Sequence, residues 1–465
     1  MSCAQGELGG TEESQSNGDA AGTDVRLDDG GLTRDATGPA DADASAKPDA
    51  PSSDTGFSDA EARDAKPNDA DAGDAGPDGA GEDADTGGGC VQHGCTDGIC
   101  DSATGACVEC ISDGDCTDGR CHNRHQICVP DCCTETTEPA FTSDSYSHNR
   151  FDIDVTGAGE PSILFGDGET DTLRYAQQVG SQWLSQDITS ADVGTSTNIR
   201  LTLAPGGEPH VILGRYETLK HFWRDQNGWQ EHDLLVDPGS VGYVDIAADS
   251  QGTIHMIALL GSGDEILYAT YDAHGQRSEE NLTLPPANRP VWVNIATTSD
   301  GRPIASFQIG QDKDVVVAER SSAGSWSYEI PGDDVAQVHG MAVGPDDQPV
   351  VAYHRETTDG LRLLRRQAGQ SWTDDLIVAS ADHGFTPDVA VDSLGDPHVV
   401  YMASGPGQNE NPLYYARWDG ADWEHLQVTG VDRAFYPRIA LDDGRTPHIA
   451  VYDPPNDTIT YLRLD

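Results

Sequence analysis

The chain has 465 residues, 80 of them acidic and 27 basic, for a formal net charge of -53. The excess is not confined to a tail: residues 134–465 alone hold 51 acidic and 20 basic side chains, a segment that repels phosphate backbones and anionic lipid, so neither nucleic acid nor a membrane surface is an expected partner. Anionic sugars are disfavoured too, unless a basic pocket or a bound cation reverses the field. Lysine is confined to Lys47, Lys66, Lys220 and Lys313, a pattern that also suits solubility in salty surroundings.

No stretch is long and apolar enough to span a bilayer, and residues 1–30 lack the apolar core of a signal peptide. Ser2-Cys3-Ala4 resembles the tail of a bacterial lipobox, which makes Cys3 a lipidation candidate; the apolar run that should precede it would need a start further upstream, and an incidental cysteine is the alternative. Secretion or cell-surface display, including as an outer-membrane lipoprotein, is the expectation, with such an anchor as the only membrane contact. Residues 1–89 are Asp, Ala, Gly, Pro, Ser and Thr, as in DADASAKPDAP, with too few large apolar side chains to offset ordering entropy; they read as a disordered spacer. Asp69, Asp71 and Asp74 lack the spacing of a calcium loop.

Residues 90–133 hold ten cysteines in two similar blocks, Cys90, Cys95, Cys100, Cys107 and Cys110, Cys116, Cys121, Cys128, followed by Cys132 and Cys133. An even number separated by Asp-Gly turns suits a disulfide-stapled module too small for its own core. Zinc is the rival, with His93, His122 and His125 at hand, but only Cys107–Cys110 has knuckle spacing. Each block allows three connectivities. CISDGDCTDGRC and CTDGIC resemble the cysteine-rich repeats of bacterial surface lipoproteins.

Residues 137–465 repeat. YPRIALDDGRTPHIAVY, residues 436–452, reads as strand, tight turn and strand, and with it the pattern occurs seven times at roughly 45–50 residues, the period of four-stranded propeller blades. The first strands align on Ile153, Leu201, Ile246, Ile295, Met341, Val389 and Ile439. Fourth strands open at or near Trp183, Trp229, Trp326, Trp372 and Trp423, with Gln276 in the third copy. The last copy ends without a fourth strand, and residues 138–142 are expected to supply it. The fold class is therefore all-β, a seven-bladed β-propeller behind a disulfide-rich module. It resembles bacterial seven-bladed propellers and, more distantly, sialidase-like and lectin propellers. The sialidase Asp-box is absent in its usual form, so the resemblance implies architecture only.

One residue before each aligned aliphatic stands Asp152, Arg200, Asp245, Asn294, Gly340, Asp388 or Arg438. Each arginine has an aspartate on both neighbouring blades, which reads as an inter-blade ion-pair belt, with a polar ligand site or a metal site as alternatives. Two residues earlier stand Arg150, Asn198, Tyr243, Trp292, Val338, Thr386 and Tyr436, with Phe385 and Phe435 adjacent. Aromatics among polar groups at a channel mouth suit sugar or peptide binding as well as blade packing. The candidate ligand-binding set is Arg200, Tyr243, Trp292, Arg438, Tyr436 and Phe385, flanked by the loops at 166–172, 261–265 and 404–411. His210, His255, His398 and His448 recur beside the turns at the other mouth and are expected to bond those turns.

No cofactor is called for; Ca2+ is the one ion the aspartates leave open. The expected function is a monomeric, surface-tethered or secreted binding protein for a carbohydrate or protein, more in keeping with a non-enzyme. A glycan-active hydrolase or lyase is the alternative, since paired carboxylates abound.

Overall fold

The computed structural model describes short segments between residues 99 and 129, residues 135–142, and residues 151–465 apart from short loops. Cys3, the acidic spacer, Cys90, Cys95, Cys132, Cys133 and Arg150 lie outside the described residues, as do parts of the loops at 166–172, 261–265 and 404–411.

Seven four-stranded antiparallel sheets form the blades, six of them built from consecutive strands. Their first strands are Phe151–Val155, Asn198–Leu203, Val241–Ala248, Val291–Thr297, Val335–Val343, His383–Val391 and Phe435–Leu441, in blades one to seven. The second strands carry near-continuous apolar runs because both their faces are covered: Ile254–Leu260, Pro303–Ile309 and Pro397–Ala403 are buried at every residue. Outer strands such as Trp326–Gly332 are largely exposed. The core is therefore a set of blade-to-blade seams. One combines Ile212 and Leu219 of blade two with Ile246 and Met256 of blade three.

The recurrent tryptophans sit on these seams. Trp229 meets Tyr175 of blade one edge-on at 5.5 Å, Trp326 meets Tyr268 of blade three at 5.2 Å, and Trp183 of blade one meets Tyr461 of blade seven at 5.2 Å. Such pairs contribute about 0.5–1.5 kcal/mol beyond the area they bury. The turn aspartates explain the repeat's Asp-x-x-Gly punctuation. Asp249 Oδ1 accepts from the backbone N–H of Gln251 and Thr253, and Gly252 takes the positive φ of 81° that closes the turn.

The ring closes as the sequence predicts. Glu135–Thr142 pairs antiparallel with Thr458–Leu464 and completes blade seven. The strand starts three residues earlier than expected, and the Glu135 carboxylate accepts from the Thr429 backbone N–H at 3.0 Å. Ahead of it, two short hairpins pair Ile99–Cys100 with Cys107–Val108 and Arg120–Cys121 with Cys128–Val129. A disulfide joins Cys110 to Cys121, the first and third cysteines of the second block. The second hairpin touches blade six: buried His122 Nε2 lies 2.6 Å from Asp396 Oδ2, and a Cβ on Gly420 would stand 2.8 Å from atoms of both His122 and Arg124.

Candidate functional site

The first strands line a central channel of about 390 Å³. Asp152, Arg200, Asp245, Asn294, Asp388 and Arg438 line it as the repeat alignment implies, while at the seventh position, Gly340, the lining passes to the next residue, Met341. Arg200 Nε lies 3.7 Å from Asp245 Oδ1, and Arg438 Nη1 lies 3.9 Å from Asp388 Oδ1. Asp152 stands between the two arginines in blade order, and both pull its acidity up while burial pushes it down more strongly, leaving its pKa raised. Burial likewise pushes Asp245 to about 7 and Asp154 to about 6, and it lowers that of Arg200.

The carboxylates do more than pair with arginine. The backbone N–H of Leu201 donates to Asp152 Oδ2 at 2.8 Å, that of Ile295 to Asp245 Oδ2 at 2.7 Å, and that of Ile439 to Asp388 Oδ2 at 3.0 Å. In each case an aspartate reaches from one blade to the aliphatic position of the next. Asp154 does the same to Leu203 at 2.7 Å, and Asn294 Nδ2 donates to the His339 carbonyl at 3.3 Å. The belt is thus a set of side-chain-to-backbone latches with ion pairs added, a role that charge order around the ring did not reveal.

At the mouth where the first strands begin, Tyr243 and Trp292 lie against each other with ring centroids 3.8 Å apart and planes tilted by 33°, both half-buried. Tyr436 lies 6.3 Å from Phe435, and Phe385 lies 4.7 Å from His354. The predicted aromatics therefore do not form one cluster: Tyr243 and Trp292 meet between blades three and four, Phe385 of blade six meets His354 of blade five, and Tyr436 sits beside Phe435 on blade seven. Three non-glycine residues here hold left-handed backbone: Trp292 at φ 53°, Thr386 at 46° and Tyr436 at 51°. They occupy equivalent positions of blades four, six and seven, each within a β-bulge between the first and second strands. Such a conformation costs on the order of 1–3 kcal/mol for a bulky residue, and bulges commonly re-aim side chains near sites. Thr386 Oγ1 is buried without a hydrogen bond among the described residues. The recurrence of this backbone could not be read from the aligned sequence, because Trp, Thr and Tyr share no preference for it.

The turn histidines behave as structural parts. His255 Nδ1 bonds Tyr268 Oη at 2.7 Å and its Nε2 lies 3.3 Å from Asp249; His398 and His448 bond Tyr415 and Tyr461 at 2.6 and 2.8 Å. Among the described residues, no three His, Cys, Asp or Glu side chains converge as a metal-binding group.

No family model matches the chain, and no curated protein matches it by sequence. Solved structures do match in fold. An ulvan lyase of polysaccharide lyase family PL25, bound to -[GlcA(1-4)Rha3S]-, is 11% identical, covers 70% of this chain and 96% of its own, and gives a TM-score of 0.53. Virginiamycin B lyase from Staphylococcus aureus is 16% identical, with coverage of 71% and 100% and a TM-score of 0.50. Polysaccharide lyase Uly1 is 9% identical, with coverage of 70% and 90% and a TM-score of 0.50. At these identities the likeness establishes the propeller fold, and no residue role is carried across.

Proposed function

We propose that the propeller is the recognition head of a secreted or surface-tethered protein and binds a carbohydrate at the mouth where the first strands begin. The observation that carries this reading is the left-handed backbone of Trp292 and Tyr436. Blade packing is served by extended strands, so a strained bulge repeated at the mouth calls for another reason. The Tyr243–Trp292 pair offers an apolar aromatic surface, and Arg200, Arg438 and the channel carboxylates supply hydrogen-bonding groups below it. Two of the fold neighbours are named as polysaccharide lyases, which accords with a sugar ligand.

A screen of the full chain against immobilised glycans and proteins, with and without Ca2+, tests the proposal. Trp292→Ala and Tyr436→Ala are expected to weaken a glycan ligand roughly tenfold or more, as loss of a buried aromatic contact does. Unchanged affinity in both variants would remove this mouth as the site.

One observation favours catalysis as a second reading. Asp245, held by burial at about 7 beside Arg200, has the proton affinity that suits a general acid or base at neutral pH. Release of product from polysaccharides or chromogenic glycosides, lost in Asp245→Asn, would establish that reading over simple binding.

A further inference from the structure

Blade two departs from the repeat at three positions, and the three cluster. The third-strand residue opposite the turn-proximal residue of the second strand is Gln177, Thr270, Glu319, Arg365, Arg417 or Arg463 in the other blades. In blade two it is Trp223, opposite His210. Two residues before it, the tyrosine of blades one, three, six and seven is replaced by His221. The turn aspartate of blades three, six and seven is replaced by Ala204. Where those blades link aspartate, histidine and tyrosine, blade two has only a histidine pair, with His210 Nδ1 3.0 Å from His221 Nε2.

The exchanged residues border or underlie a groove of about 900 Å³ between blades two and three, on the face of the turns and opposite the mouth described above. Half-buried Trp223 and Tyr271 line it with ring centroids 5.1 Å apart. Fully buried His221 stacks beneath Trp223 at 5.2 Å and fixes that ring. Glu208, Asp225 and Asp272 place carboxylates around the rings, the last two also accepting from their own turns, and Arg224 and Gln251 add donors. The volume lies within the range of small-ligand pockets. An aromatic wall among acceptors also suits a cation, but the Arg277 guanidinium already stands 5.5 Å from Trp223 and 5.4 Å from Tyr271 and would repel a second one. Three carboxylates against the Arg224 and Arg277 guanidiniums leave the groove net negative, which disfavours an anion. What remains complementary is an uncharged, hydroxyl-rich ring with an apolar C–H face.

We infer that this groove is a second binding site, for a neutral oligosaccharide that lies against Trp223 and Tyr271. It is separate from the mouth and does not depend on the mouth being a site. A tryptophan that served the fold alone would be interchangeable with the polar residues of the other blades, and Trp223→Gln restores what blade one carries at Gln177.

Affinity electrophoresis of the full chain tests this, in gels containing soluble neutral polysaccharides (galactomannan, xyloglucan, starch) with polygalacturonate as the charged control. At least one neutral polysaccharide is expected to retard the chain. Trp223→Gln should weaken that retardation roughly tenfold or more while the melting curve stays the same, and Trp223→Phe should keep most of it. Should Trp223→Gln fail to fold, Tyr271→Ala on the other wall reads the same contact. The inference is overturned if no neutral polysaccharide retards the chain, or if the groove variants bind as the parent does. Loss of retardation in Trp292→Ala with none in Trp223→Gln would place the sugar at the mouth and leave this groove empty.

Discussion

Gly340 is the one member of the channel ring without a side chain, and its neighbours give the reason. A Cβ there would stand 2.8 Å from the Cα of Asp388 and 3.0 Å from the Val389 backbone nitrogen, so blades five and six approach too closely for any larger residue. Backbone cannot swing aside as a flexible side chain can. Gly340→Ala is expected to cost about 1–3 kcal/mol, the usual range for overpacking, read as a lower melting temperature with the fold retained. Asp245 is a second residue whose setting matters more than its type. Burial holds its folded pKa at about 7 against an ordinary 3.8. Between those values the folded chain binds a proton that the unfolded chain does not. The stability this group contributes is therefore complete below about pH 4 and is lost as pH rises through 7. Asp245→Asn carries no charge at any pH, so its melting temperature relative to the parent should rise between pH 4.5 and 7.5. An equal difference at both ends would contradict the burial argument. The alignment located both residues. It could not assign either role, because each depends on a blade about 50 residues away in sequence.

At the scale of elements, the strand Glu135–Thr142 decides whether the ring is closed. It covers the edge that Thr458–Leu464 would otherwise present, and the Trp183–Tyr461 contact joins blades one and seven beside it. Two truncations separate this strand from what precedes it. A chain beginning at residue 135 should keep a single cooperative melting transition close to that of the parent. One beginning at residue 143 should melt on the order of 10 °C lower or lose cooperativity. Equal stability of the two would mean that the closing strand is dispensable. The closure was legible in the sequence because the last copy of the repeat stops one strand short. The contact of the second hairpin with blade six was not, since His122 and Asp396 are 274 positions apart and neither belongs to a pattern that predicts the other.

For the whole molecule, the sevenfold repeat leaves two kinds of position. Those that every blade shares build seams, turns and latches. Those that only some blades carry, among them the bulged Trp292 and Tyr436 and the groove-lining Trp223, are where one blade differs from another, because symmetry-related structure needs only the shared set. The sequence by itself determined the number of blades, the order of their strands, the closing segment and the members of the channel ring. These follow from local alternation and spacing, which act within one hairpin or one repeat. Only the tertiary structure decided which carboxylate latches which backbone, why one ring position is glycine, which aromatics stack, and that the odd residues of blade two meet a tyrosine of blade three around one groove. Those are contacts between separate sheets, set by how closely neighbouring blades approach and twist, and nothing in the spacing along one chain encodes that distance.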